Sequence, residues 1–150
     1  MRIRWLLLMV LSLAGCEQNE TINLSALPVL DQPETADVLE PERLVFINYW
    51  AVWCKPCVDE LPELYRFASR YPNEVSVYAV NFDGLEPDQL RRDGQRVGIA
   101  IPSLLVDPQS LMSYPPPRGL PTTYVLDGGA LVTVLEGPQT MESLVKVIKQ

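Results

Sequence analysis

A seven-residue run, Leu44-Val-Phe-Ile-Asn-Tyr-Trp50, stops four residues short of Cys54-Lys55-Pro56-Cys57. So apolar and β-prone a run reads as a strand buried on both faces. The residues that follow change period. Val58, Leu61, Leu64, Tyr65 and Ala68 fall on one face of a helix over 55–71, with Pro62 inside it. A proline there kinks the helix rather than ending it, because the apolar face resumes at once. A buried strand thus delivers two cysteines onto the first turn of a helix. Any fold for this chain must accommodate that junction.

The remaining pattern alternates. Residues 74–82 read as a second strand and 86–97 as a polar helix containing Gly94, with a short extended piece at 103–106. Residues 122–126 and 130–135 flank Asp127-Gly128-Gly129, the signature of a β-hairpin. Residues 140–149 form an amphipathic helix, with Thr140 as N-cap and Met141, Leu144, Val145 and Ile148 apolar. This β-α-β-α-β-β-α order implies an α/β fold, a central mixed sheet flanked by helices on both faces.

The N-terminal region carries an address. Arg2 and Arg4 precede an apolar stretch too short to span a bilayer core, which needs about 20 apolar residues. It ends in Leu13-Ala14-Gly15-Cys16, which resembles a bacterial lipobox. That resemblance implies a signal peptide over 1–15 and lipidation of Cys16. An ordinary signal peptide or an uncleaved anchor is the alternative. Several acyl chains on one cysteine meet the requirement for stable anchoring. Residues 17–40 hold six acids, no base, and Pro28 and Pro33. We read 16–40 as the lipidated N-terminus and an acidic tether, with room for one short strand around 22–30, and 41–150 as the folded domain. Loss of the leader leaves 10 basic against 19 acidic side chains, a net charge of −9. Such a surface repels nucleic acid.

Trp53-Cys54-Lys55-Pro56-Cys57 at the start of a proline-containing helix, with Gly119-Leu120-Pro121-Thr122-Thr123 ahead of a hairpin, resembles the thioredoxin superfamily over 44–150. The resemblance is strongest to the extracytoplasmic, membrane-tethered branch typified by TlpA and ResA. It implies a thioredoxin-like fold and a cis bond before Pro121, facing the cysteines and leaving the Leu120 backbone to pair with an extended substrate. By the same resemblance, the activity is thiol–disulfide exchange on exported proteins, chiefly reductive. Apocytochromes c are candidate clients, and a membrane electron donor of the thiol-reducing pathway restores the pair. No cofactor is implied beyond the redox-active disulfide.

The residues must still be weighed on their own chemistry. A tetrahedral zinc site needs four ligands, usually Cys and His. The chain has no histidine, and Cys16 is assigned to lipid. A purely structural disulfide across two residues closes too small a loop to constrain the unfolded chain much. Redox exchange uses the spacing best: a helix N-terminus favours a Cys54 thiolate, and the shielded Cys57 then resolves the mixed disulfide. An oxidase or isomerase, or a binding module with a stapled pair, remains the alternative function. Pro56 sets φ in the first turn. Trp50 belongs in the core, and Trp53 beside Cys54 at the surface, where it shields the pair or docks substrate. Lys55 either adds positive charge near Cys54 or is simply solvated.

Two departures from cytosolic thioredoxins matter. Their buried acid, six residues before the first cysteine, is replaced by Asn48, which cannot titrate. The TlpA/ResA branch instead places an acid three residues after the second cysteine, here Glu60, on the same helix face as Cys57. Glu60 is either a proton relay for Cys57 or a solvated helix glutamate. The second departure is Ser113-Tyr-Pro-Pro-Pro-Arg-Gly119, whose prolines favour a stiff extended segment, either a rim of the substrate groove or a rigid connector.

Overall fold

The computed structural model describes residues 27–32, 42–110 and 114–150. The signal segment and Cys16 lie outside these residues. Strands β1 (Leu44–Trp50), β2 (Val75–Asn81), β3 (Thr122–Asp127) and β4 (Ala130–Glu136) form one sheet in the order β2-β1-β3-β4. β1 runs parallel to β2 and antiparallel to β3, so the sheet is mixed, as its element order implied. Helices α1 (Lys55–Arg70), α2 (Pro87–Val97) and α3 (Met141–Ile148) complete the fold.

The side-chain alternation of β1 divides the core. Val45, Ile47 and Tyr49 enter one apolar cluster, with Tyr78 and Val80 of β2 and Tyr124 and Leu126 of β3. Phe46 and Trp50 enter the other, with Leu64 and Phe67 of α1, Leu90 of α2 and Leu144 of α3. Phe46 and Phe67 meet edge-on with centroids 5.0 Å apart. Full burial of each such side chain contributes about 1.5–3 kcal/mol. β4 is an edge strand whose Leu131, Val132 and Val134 stay exposed.

Local chemistry explains the element ends. Helix α1 continues through Pro62, as its uninterrupted buried stripe of Cys57, Glu60, Leu61, Leu64 and Phe67 requires. Helix α2 stops at Gly98, whose φ of 77° suits the left-handed cap. Both turn glycines of the β3–β4 hairpin have positive φ, at 53° and 85°. This is the backbone that a tight hairpin needs. Thr140 caps α3 in a reciprocal box with Ser143.

Described residues ahead of position 41 also pack on this fold. Leu27 and Val29 are buried against the core. Val29 bridges antiparallel to Leu104, and backbone bonds join Leu30 N–H to Ser103 O and Leu105 N–H to Pro28 O, each 2.9 Å. Arg91 of α2 grips the Asp31 carboxylate through both Nε and Nη2. The acidic, proline-broken composition hid two apolar residues that the sheet face needs. Of the extended pieces expected around 22–30 and at 103–106, Val29 bridges to Leu104 and Ser103 to Ala79, and residues 22–26 lie outside the described residues. The proline segment is held against the sheet: Tyr114 stacks on Tyr124 at 4.6 Å, and the Tyr124 hydroxyl donates to Pro115 O at 2.7 Å.

If this leading segment belongs to the fold, Leu27→Ala should cost about 2 kcal/mol or more, in the range of buried Leu→Ala changes. Urea unfolding of the domain checks this. An unchanged midpoint would return the segment to the tether.

Candidate active site

Parallel β1 and β2 present their C-terminal ends together, the usual location of sites in such sheets. The chain leaves β1 at Trp50, turns through Ala51, and reaches Cys54 as the N-cap of α1. Cys54 and Cys57 are joined in a disulfide with Cα atoms 5.3 Å apart, and Cys57 N–H points at Cys54 Sγ from 3.3 Å. Cys54 is 5% exposed and Cys57 wholly enclosed, so the first sulfur is the one within reach of a partner. No acidic side chain stands in the first turn of this 16-residue helix. Its free N–H groups and dipole therefore favour negative charge on Cys54 sulfur once the pair is reduced.

The antiparallel register pairs Tyr49 with Thr122, which sets Pro121 opposite the end of β1. The Leu120–Pro121 bond is cis. Leu120 packs against both core clusters, and a groove of about 260 Å³ runs along Arg118–Thr122 beside Glu136 and Gly137. On the other flank Trp53 is 64% exposed, and its indole N–H donates to both oxygens of Asp83, at 3.0 and 3.2 Å. Half-exposed Phe82 precedes that aspartate. Trp50 is fully buried at the strand end. Pro56 sits in the first turn of α1. Lys55 is exposed, and its ammonium lies 2.6 Å from Asp59 in an exposed ion pair. Such a pair adds little.

Glu60 is not a solvated helix residue. It is 3% exposed, faces the sheet, and is held by two donors from different parts of the chain. Asn48 Nδ2 reaches Glu60 Oε1 at 2.7 Å, and the Gln139 backbone N–H reaches Oε2 at 2.6 Å. Asn48 Nδ2 also donates to Thr123 Oγ1 at 3.0 Å. Burial holds the Glu60 carboxyl above its ordinary value of 4.5, against the opposing effect of the Gln139 and Asn48 hydrogen bonds. Sequence reasoning singled out Asn48 and Glu60 separately but did not join them. Thr123 and Gln139 were missed because they lie 75 and 79 positions from their partners. The strand register alone could have found Thr123, which is the cross-strand partner of Asn48. Asp83 and Asp59 carried no distinguishing signal. Among the described residues no group of three or more His, Cys, Asp or Glu side chains is arranged to hold a metal.

The thioredoxin family profile matches residues 29–110. The chain is 31% identical over 105 residues to the thioredoxin-like protein YneN of Bacillus subtilis, covering 68% of this chain and 61% of that protein. It is 30% identical over 108 residues to the thiol-disulfide oxidoreductase ResA of Bacillus thuringiensis, covering 71% and 62%. The matches therefore span only about three fifths of these relatives' lengths. The crystal structure of StoA from Bacillus subtilis shares the fold with a TM-score of 0.62 at 22% identity, over 85% of this chain and 99% of that one.

The raised proton affinity of Glu60 has a thermodynamic consequence. Between 4.5 and the raised folded value, the folded state binds more protons than the unfolded chain. Stability therefore falls as pH rises through that window, and the loss is complete above the folded value. Glu60→Gln cannot titrate and should lack this decline. Urea unfolding of the oxidised domain at a series of pH values should show wild type losing stability relative to the variant above pH 4.5. A difference that stays constant with pH would show an unshifted carboxyl.

Proposed function

The chain belongs to the thioredoxin family, and from this membership we propose that it is a thiol–disulfide oxidoreductase acting on exported proteins. The observation that carries the reading is a disulfide on the first turn of α1 with a buried carboxyl one turn further along the same helix face. In the reducing direction, Cys54 thiolate attacks a client disulfide, one client sulfur leaves as thiolate, and a Cys54–client mixed disulfide remains. Cys57 gives its proton to Glu60 and attacks Cys54 sulfur. The Cys54–client bond breaks as the Cys54–Cys57 bond forms, and the second client sulfur leaves and takes a proton from water. Two electrons pass from the pair to the client. The Leu120 backbone and the groove beside Pro121 receive the client chain, and Trp53 covers its approach.

Direction and address follow from the same reading. The leader and Cys16 support a lipid-anchored protein on the extracytoplasmic face of a bacterial membrane, where disulfides form and clients need reduction. Apocytochromes c fit as clients, and a membrane electron donor returns the pair to its dithiol form. No nucleic acid is a partner for so acidic a surface.

Cys57→Ser lacks the resolving thiol and should accumulate client mixed disulfides on Cys54 in cells. These are recovered under acid quench and identified by mass spectrometry. Adding Cys16→Ala should move the adducts from the membrane fraction to the soluble extracytoplasmic one. A Cys57→Ser protein with no adducts, or with as many as its Cys54→Ser counterpart, would contradict the exchange reaction. Unchanged membrane attachment would contradict the anchor.

A further inference from the structure

Asn48 Oδ1 is buried and has no hydrogen-bond partner, although Nδ2 of the same amide makes two bonds. A buried orphan acceptor is costly and therefore informative. The two ends of this amide are nearly equal in size but opposite in hydrogen-bonding sense. As it stands, Nδ2 donates to Glu60 Oε1 and to Thr123 Oγ1, an arrangement suited to an ionised carboxylate. Glu60 Oε2 likewise faces a donor, the Gln139 N–H. Were Glu60 to gain a proton here, its new O–H would meet donors at both oxygens. Half a turn about the Asn48 Cβ–Cγ bond removes the clash at Glu60 and carries Nδ2 to the side where Oδ1 now has no partner. Oδ1 then accepts from the Glu60 O–H and from the Thr123 hydroxyl, which can donate as readily as it accepts.

We propose that Asn48 is a positioning residue whose amide turns over as Glu60 changes protonation, so that the buried carboxyl keeps a matched partner whether empty or loaded. The proposal rests on the reading of Glu60 as acceptor of the Cys57 proton. It adds the device that lets a carboxyl enclosed in the core change charge state without disrupting the contacts that hold it. An aspartate at this position would bring a second carboxylate into hydrogen-bond contact with Glu60, and an aliphatic residue would serve neither state. The groups that meet Glu60 from β1, β3 and the segment before α3 are Asn48, Thr123 linked through it, and the Gln139 amide, all uncharged. On α1 itself Cys57 lies one turn before. Glu63 lies one turn after, ion-paired with Arg66 and accepting from Met141 N–H.

The test uses the oxidised protein, where Cys57 has no thiol proton and only Glu60 changes state. The 13C carboxyl signal of Glu60 and the side-chain 15N–1H2 signals of Asn48 are followed across pH. The two sets should titrate with one midpoint, and the close approach of the Asn48 amide protons to Thr123 seen at high pH should be lost at low pH, whereas an amide that stays in place would keep it. Asn48→Leu, similar in volume and unable to bond, should raise the proton affinity of Glu60 about tenfold, because the ionised form loses its charge-assisted donor. Asn48 signals that stay constant while Glu60 titrates would overturn the proposal, with no variant needed. So would a Glu60 midpoint unmoved in Asn48→Leu. Failure of the underlying reading looks different: Asn48 and Glu60 would titrate together, yet removing the Glu60 carboxyl would leave mixed-disulfide resolution at its wild-type rate.

Discussion

A carboxyl group enclosed between α1 and the sheet ties the molecule together. Glu60 occupies a position on the buried stripe of α1 where an apolar residue would ordinarily sit, and removing a carboxylate from water costs several kcal/mol unless donors replace the lost hydration. The replacements come from Asn48 in the central strand and from the Gln139 backbone just before α3. One side chain therefore orients α1 against β1 and the start of α3 at once. Glu63 repeats the contact one turn further on by accepting from Met141 N–H. The cysteines at the head of α1 inherit their position from these contacts.

That position has chemical consequences. Cys54 caps the helix and receives the free Cys57 N–H on its sulfur, while the Cys57 side chain lies where water is excluded. The burial that shields Cys57 also raises the cost of ionising its thiol once the pair is reduced, and a Cys54 thiolate beside it raises the cost further. A nearby base that is itself buried and reluctant to ionise is better matched to such a thiol than an ordinary surface carboxylate. Desolvation raises the proton affinity of Glu60 toward that of its neighbour, while its two donors keep the ionised form accessible.

Much of this was legible from residue patterns. The run at Leu44–Trp50, the period of α1, the glycine turn between β3 and β4 and the Thr140 cap are local signals, and each element lies where its signal does. The cysteine pair and Pro121 were legible because their motifs are local too. What could not be read were contacts made only by folding. Asn48 looked like the mere absence of an acid. It is the partner of the acid that moved to α1, because register puts Asn48 and Thr123 side by side beneath Glu60. Lys55 was open between a charge for Cys54 and a solvated residue, and its exposed ion pair with Asp59 one turn on had no local signal. Leu27 and Val29 were obscured by the acids and prolines around them, a composition average that hid two buried side chains.

In the proposed exchange, Glu60 takes the proton from Cys57 during resolution of the mixed disulfide. Stopped-flow measurement of that single step, in wild type and Glu60→Gln across about pH 5 to 9, tests it most directly. The Cys54 adduct is preformed with a chromogenic thiol whose release is followed. If Glu60 is the acceptor, the variant resolves at least tenfold more slowly at neutral pH, in line with roughly 10²–10⁴-fold for positioned general bases. Its rate then rises with hydroxide where wild type levels off. A variant that tracks wild type at every pH would mean that the Cys57 proton leaves by another route, and that Glu60 serves only to hold α1 in place.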